Sequence, residues 1–447
     1  MIALLILAIA PALSTAAAAQ EPPGRAGRVA FTEGTVALYQ DPDLGWEKAY
    51  VNSPITSENS LWTDPGSRAE VRVSGIAVRL DEATQLDVSR LDDEGIDAFV
   101  VRGSVAVRVR HFENSNTLDF ATPHAQFRLF GAGRYRIDVD PERDETLLTV
   151  FTGSAGLRSA AGDIQVRAGN AIRIEGGPSP TFVRERATSG RFDRWTLARD
   201  DRWIERRSTQ YVSTYMTGYE DLDEYGAIWF PSRVDRGWVP YRDGHWAWVR
   251  PWGWTWIGAE PWGYAPYHYG RWTYVRDRWG WVPGRREARP VWAPALVAWV
   301  GGGNFSVRVN SGNVPAVGWY PLSPWERYDP WYRTNPTYVN RINVIVREAP
   351  AQRDYGRDAR DDWRYRNRER GATVVQRDQF IDRRPVRQAA ITVAPEAMRQ
   401  AQVASPTQLF TREDVVRRSA ESRPQLRTPG SPPATSAPVT SGAPSAQ

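Results

Sequence analysis

Pro240-Tyr241-Arg242-Asp243-Gly244-His245-Trp246-Ala247-Trp248 returns 26 positions later as Pro266-Tyr267-His268-Tyr269-Gly270-Arg271-Trp272-Thr273-Tyr274. Side chains two apart on a strand project from the same face. Trp246 and Trp248 therefore make one aromatic row, and Trp272 with Tyr274 makes a second. Trp252, Trp254 and Trp256 add a third row, and Trp279 with Trp281 a fourth. Asp243-Gly244 is expected to be a hairpin turn flanked by Tyr241 and His245, since both positions tolerate positive φ. The expected product is a small antiparallel meander with one face paved in indole. Sixteen of the chain's 21 Trp residues lie between Trp229 and Trp331.

Such a ladder has two uses. It can be core: each ring buries about 150–250 Å², and paired rings add about 0.5–1.5 kcal/mol beyond their area. It can also be an exposed platform for sugars or for Pro-rich polypeptide. The candidate stacking residues are Tyr241, Trp246, Trp248, Trp254, Tyr267, Trp272, Tyr274 and Trp281. The expectation is a folding device first, with a minority of indoles left free to bind.

The surrounding composition narrows the setting. The chain has 447 residues and no Cys, which excludes disulfides, thiolate metal sites and Cys nucleophiles. Its basic residues are Arg apart from Lys48. Residues 351–427 carry 17 Arg against 11 Asp/Glu, a surplus of 6, so the remainder of a chain of net charge +5 is near neutral. Residues 2–19 are apolar and end in Ala16-Ala17-Ala18-Ala19 before Gln20, as an export leader cleaved after Ala19 would. Uncleaved, the same stretch would be a membrane anchor at the lower limit of spanning length.

Residues 29–174 alternate with period two: Val71, Val73, Ile76, Val78 and Leu80, then Val105, Val107 and Val109. Turn formers such as Asp64-Pro65-Gly66 and Gly169-Asn170 punctuate them, which indicates an all-β sandwich, roll or solenoid. Three stretches, Leu61-Trp62-Thr63-Asp64-Pro65-Gly66-Ser67-Arg68-Ala69-Glu70-Val71, Val101-Arg102-Gly103-Ser104-Val105 and Val150-Phe151-Thr152-Gly153-Ser154-Ala155, resemble the strand-turn-strand pattern of FecR-like periplasmic domains. The resemblance implies the fold and, more weakly, a signalling role. Signalling members of that family place an anti-sigma segment and a transmembrane helix ahead of this domain, and this chain is expected to have no room for the anti-sigma segment. Residues from Phe192 to Val346 resemble an uncharacterised family of exported bacterial proteins that couples a FecR-like domain to a Trp-rich YxxGxWxW module. That family brings no activity with it.

Residues 191–225 suit an amphipathic helix through Phe192, Trp195, Leu197 and Trp203. Glu220, Asp221, Asp223 and Glu224 read as its solvated terminus and lack the spacing of a Ca²⁺ loop. His111, His124, His245 and His268 show no zinc spacing, no carboxylate pair is placed for glycoside hydrolysis, and no GxSxG elbow occurs. The Arg-rich segment reads as a solvated linker, with a polyanion as the sharper option and nucleic acid disfavoured for an exported protein.

The expected architecture is mainly β. It comprises a leader (1–19), a FecR-like β-roll or sandwich (20–178), a helical connector (179–227), a Trp-rich β-meander module (228–350), an Arg-rich extension (351–427) and a Pro/Ser/Ala tail (428–447) that composition makes disordered. The expected function is that of a non-catalytic envelope scaffold or binding module for a glycan or protein partner, without cofactor or metal. The alternatives are a FecR-type regulatory component and an enzyme acting on envelope polysaccharide.

Overall fold

The computed structural model describes residues 22–111, 116–159, 162–176, 180–202, 216, 222–225, 228–231, 233–284, 289–301, 305–309, 312–344, 365–404 and 412–422. The expected leader and the tail fall outside them. The fold is mainly β, in several antiparallel sheets with few helices.

The alternating apolar residues of the N-terminal region line one core, from Val29 to Ile174, inside a sheet of 15 strands. Three strands of 15 residues, Gly95–Val109, Gln126–Asp140 and Glu145–Ser159, organise it. Each bends at a glycine with positive φ: Gly103 at 84°, Gly131 at 79° and Gly153 at 88°. A side chain is disfavoured there by conformation, and at Gly153 by space, since a Cβ would stand 2.3 Å from the Tyr135 hydroxyl. The stretches read as strand-turn-strand around Gly103 and Gly153 are therefore bends inside continuous strands. Beyond the bends the first two strands separate. Thr117–Ala121 enters between them, parallel to residues 95–99 and antiparallel to residues 126–128.

The connector helix Arg191–Arg202 lies against this sheet, with Trp195 packed on Phe31 and a set of ion pairs beside them. Glu70, fully buried, accepts from Arg72 (2.7 Å), Arg79 (2.8 Å) and Arg199 of the helix (2.6 Å). Arg79 also reaches Asp200 at 2.7 Å, and Arg136 pairs with Asp193. Burial alone would raise the Glu70 pKa. The hydrogen bond from Arg199 and the charges of Arg72, Arg79 and Arg199 outweigh it and hold the carboxyl at about 2. Residues 222–225, expected at a helix terminus, form a strand paired with Ile228–Pro231. Trp203, Glu220 and Asp221 lie outside the described residues.

The aromatic region is not one meander. Its two repeats open two hairpins in separate sheets: Gly244–Val249 with Gly253–Gly258, and Arg271–Val275 with Arg278–Val282. Asp243-Gly244 is not a reversal. The chain enters its strand there and turns at residues 250–252, between Val249 and Gly253. The second hairpin turns on Arg276 and Asp277, with φ of 51° and 60°, as a two-residue primed turn requires. Each hairpin carries the same cross-strand aromatic pairs, Trp246 with Trp256 and Trp248 with Trp254, then Trp272 with Trp281 and Tyr274 with Trp279.

The Arg-rich extension also departs from expectation. Thr373–Gln376 pairs with Gly312–Pro321, and Ala390–Ile391 pairs with it in turn. The helix Arg377–Ile381 puts Phe380 against Trp246, Trp254, Trp299 and Trp319, at ring separations of 4.4–6.0 Å. Arg383 pairs with Glu47 at 2.7 Å, and Arg412 with Asp41 at 2.9 Å. The apolar residues spaced between the arginines close the second core, while Arg383 and Arg412 face acids of the first β region. That is why a stretch with the composition of a linker is folded.

Candidate functional site

The eight aromatic candidates divide by burial. Tyr241, Trp246, Trp254, Tyr267, Trp272 and Trp281 are buried, while Trp248 and Tyr274 are half-buried at the outer pair of each hairpin. Six of the eight therefore cannot stack on a ligand in this structure, because they pack on one another. Tyr241 and Tyr267, equivalent in the repeat, have ring centroids 4.7 Å apart, and the Tyr241 hydroxyl donates to the Tyr267 carbonyl at 2.7 Å. The Trp272, Trp281 and Trp319 indoles donate to backbone carbonyls at 2.8–3.0 Å. Those of Trp246, Trp252, Trp256 and Trp299 find no hydrogen-bond acceptor among the described residues. Edge-to-face packing, 70° for Trp246 on Trp256 and 83° for Trp299 on Trp331, gives ring edges an electron-rich face instead.

Burial shifts titratable groups inside this core toward their neutral forms. The Glu260 carboxyl is raised to about 7, accepting from the Tyr267 hydroxyl at 2.8 Å and the Trp238 indole at 3.2 Å. Glu326 is likewise raised to about 7, bonded to the Tyr320 hydroxyl and the Ser323 amide. His268 is lowered to about 3 and stacks on Trp292 at 4.6 Å. These groups are enclosed by rings, so they serve the packing.

The two β regions meet through apolar contact, since Ala26 and Leu44 of the first belong to the aromatic cluster, and through polar contacts. Asn52, fully buried, donates to the Gly258 and Glu260 carbonyls at 2.9 and 2.8 Å and accepts from Arg28. The Tyr264 hydroxyl donates to the Gly27 carbonyl at 2.8 Å.

An open groove of about 810 Å³ lies on the N-terminal sheet, on the half beyond the three glycine bends. The register explains its floor. Asp97, Asp119, Arg128, Gly156 and Gln165 follow one another across five strands, and Phe99, Ala121, Gln126, Arg158 and Asp163 make the next row. Phe130 projects beside the first row and is 46% exposed; its ring lies over Gly156, where a Cβ would meet it at 3.0 Å. Asp97 is held by Arg90 (2.7 and 2.9 Å), and Asp119 by Arg128 (2.7 and 2.6 Å). The hydrogen bond that Arg128 donates to Asp119, and then the charge of Asp119, raises the Arg128 pKa. Phe99 and Phe130 thus give apolar surface, Gln126 and Gln165 give amides, and Arg158 gives an exposed guanidinium. Phe99 and Phe130 were not singled out in the sequence. Phe130 stands next to Gly131, and aromatic-beside-glycine in a strand was the available clue.

Among the described residues no group of His, Asp and Glu is placed to hold a metal, and no helix is long and apolar enough to cross a membrane.

Residues 59–156 match the FecR protein family. The match takes in the first two bent strands whole, the third as far as residue 156, and most of the groove floor. Residues 209–326 match a family of unknown function, DUF6600, which covers both aromatic hairpins. Two crystal structures of a protein described as a putative anti-sigma factor from Parabacteroides distasonis ATCC 8503 are similar over 31% of this chain, at 12% identity and a TM-score of 0.28. The matched part spans 64% and 63% of those chains, less than two thirds of their length. No curated protein matches this chain.

Proposed function

We propose that this chain is a non-catalytic, exported regulatory component of the FecR type, which senses or relays through a polypeptide bound in the groove of its N-terminal sheet. The observation that carries the reading is coincidence: the span that matches the FecR family is the span whose bent strands build the groove. Phe99 and Phe130 would seat apolar side chains, and Gln126 and Gln165 would meet the backbone of an extended segment. The buried state of the aromatic ladder favours a protein partner over a glycan, because six of the eight stacking candidates are enclosed. The Trp-rich module then acts as a rigid body fixed to the sensing domain through Asn52 and Tyr264. The apolar leader at residues 2–19 would deliver both to the envelope.

A photo-crosslinking amino acid at position 130 of the full chain tests this in intact cells. A polypeptide adduct, lost with Phe99→Asp, and an altered transcript profile on deleting the gene are the expected results. An adduct with unchanged transcripts would replace regulation by a scaffold role. No polypeptide adduct would overturn the groove as the site.

A further inference from the structure

The strand Gly162–Arg167 pairs on one side only among the described residues, with Ser154–Ser159. Its continuation Asn170–Glu175 is covered on the other side by Thr181–Arg186. That covering strand ends at Ala187, whose amide donates to the Gly169 carbonyl at 3.0 Å. Arg136 then reaches the Thr188 carbonyl, so the chain leaves the edge where residues 162–167 begin to need a neighbour. A recess of about 340 Å³ lies there, lined by Ile164, Gln165, Arg167, Asn170, Ile172 and Arg184.

Antiparallel strands direct the backbone groups of alternate residues to opposite sides. The Ala168 amide donates to the Gly153 carbonyl, so Ile164 and Val166 share that side. Asp163, Gln165 and Arg167 turn their N–H and C=O groups to the open edge. Their side chains stand together on the exposed face, while Val166 is buried and Ile164 packs against the core.

This hexapeptide is complementary to itself. We propose that the occupant of the edge is a second copy of the chain, paired antiparallel about a two-fold axis through Gln165. In that register Asp163 of each copy faces Arg167 of the other, so both cross-strand pairs are of opposite charge. Ile164 meets Val166 on the inner face, continuing the apolar layer across the junction. The three edge-facing residues of each strand exchange about six backbone hydrogen bonds, as an antiparallel ladder requires. The interface is isologous and closes as a dimer, which also removes an edge open to aggregation.

Sedimentation of the full chain tests the pairing. Wild type is expected to be a dimer at micromolar concentration. Asp163→Arg and Arg167→Asp should each weaken it at least tenfold by placing like charges opposite one another, and the double exchange should restore it. Because the chain has no Cys, Gln165→Cys offers a second measurement. Residues facing across a hydrogen-bonded antiparallel pair have Cα atoms about 5.5 Å apart, within disulfide range. Oxidation should give a covalent dimer, while Val183→Cys on the neighbouring strand should not. A monomer at every concentration, or a dimer that neither charge reversal weakens, would overturn the proposal. A heterologous polypeptide co-sedimenting on the edge would do the same. Asp163 and Gln165 also lie on the groove floor, so Phe99→Asp separates the two readings: it should abolish the adduct at residue 130 and leave the dimer intact.

Discussion

Glu260 makes the aromatic core sensitive to alkali in a way that one substitution should reveal. Its carboxyl is 8% exposed, bonded through Oε1 to Tyr267 and Trp238, and raised by burial from the ordinary 4.5 to about 7. A group that binds its proton more tightly when folded contributes stability in full below pH 4.5 and loses it as pH rises through about 7. Each pH unit across that window costs about 1.4 kcal/mol, so the loss levels off near 3 kcal/mol above pH 7. Glu260→Gln keeps an acceptor for Tyr267 and never ionises. The variant should match wild type at pH 4.5 and exceed it by about 3 kcal/mol at pH 8. His245 and His268, lowered by burial to about 4 and 3, gain stability as pH rises toward 6.5 and oppose the wild-type slope. The informative quantity is therefore the difference between variant and wild type in urea unfolding at pH 4.5, 6 and 8. A difference that does not change with pH would refute the assignment of a neutral, buried Glu260.

Three further outcomes follow from the packing. Phe380→Ala should cost about 3–5 kcal/mol, as large aromatic truncations in cores do, and should raise amide exchange in residues 373–391 more than in the N-terminal sheet. Glu70→Gln removes the buried carboxylate shared by Arg72, Arg79 and Arg199, leaving Arg79 with Asp200 alone, and should destabilise by about 3 kcal/mol. In wild type the Glu70 contribution is complete above pH 4.5 and is lost as pH falls toward 2, which acid titration by circular dichroism will follow. Gly153→Ala forces a Cβ against the Tyr135 hydroxyl at positive φ, and thermal melting should show a loss of about 2 kcal/mol or more.

The alternating apolar residues from Val71 to Val109 announced a sheet, and they form it, because period two is a local property of each strand. The aromatic rows were legible for the same reason. Turns were less so. Asp243-Gly244 has the chemistry of a hairpin turn, yet the reversals fall at residues 250–252 and at Arg276-Asp277, where pairing of Trp246 with Trp256 and Trp272 with Trp281 fixes the register. Side-chain burial across the hairpin outweighs local turn preference there. The bends at Gly103 and Gly153 show the converse: positive φ was readable, but whether it ends a strand or kinks it depends on the neighbour. Thr373 to Gln376 is rich in β-branched residues, but its partner lies some 55 residues earlier in Gly312–Pro321. Composition averaged over an Arg-rich stretch hides a few apolar anchors such as Phe380 and Val386. The groove was the least legible feature, since it arises from five strands meeting in register and no single stretch encodes it.

Phe380, Val386 and Val415 complete an indole cluster that begins at Trp229. Translation delivers those residues last, so for well over a hundred residues of synthesis the Trp faces have no lid. The same logic bears on fragments: a piece cut near residue 350 would present the uncovered indoles as an adhesive surface, and any partner it captured would report the missing lid rather than a native site.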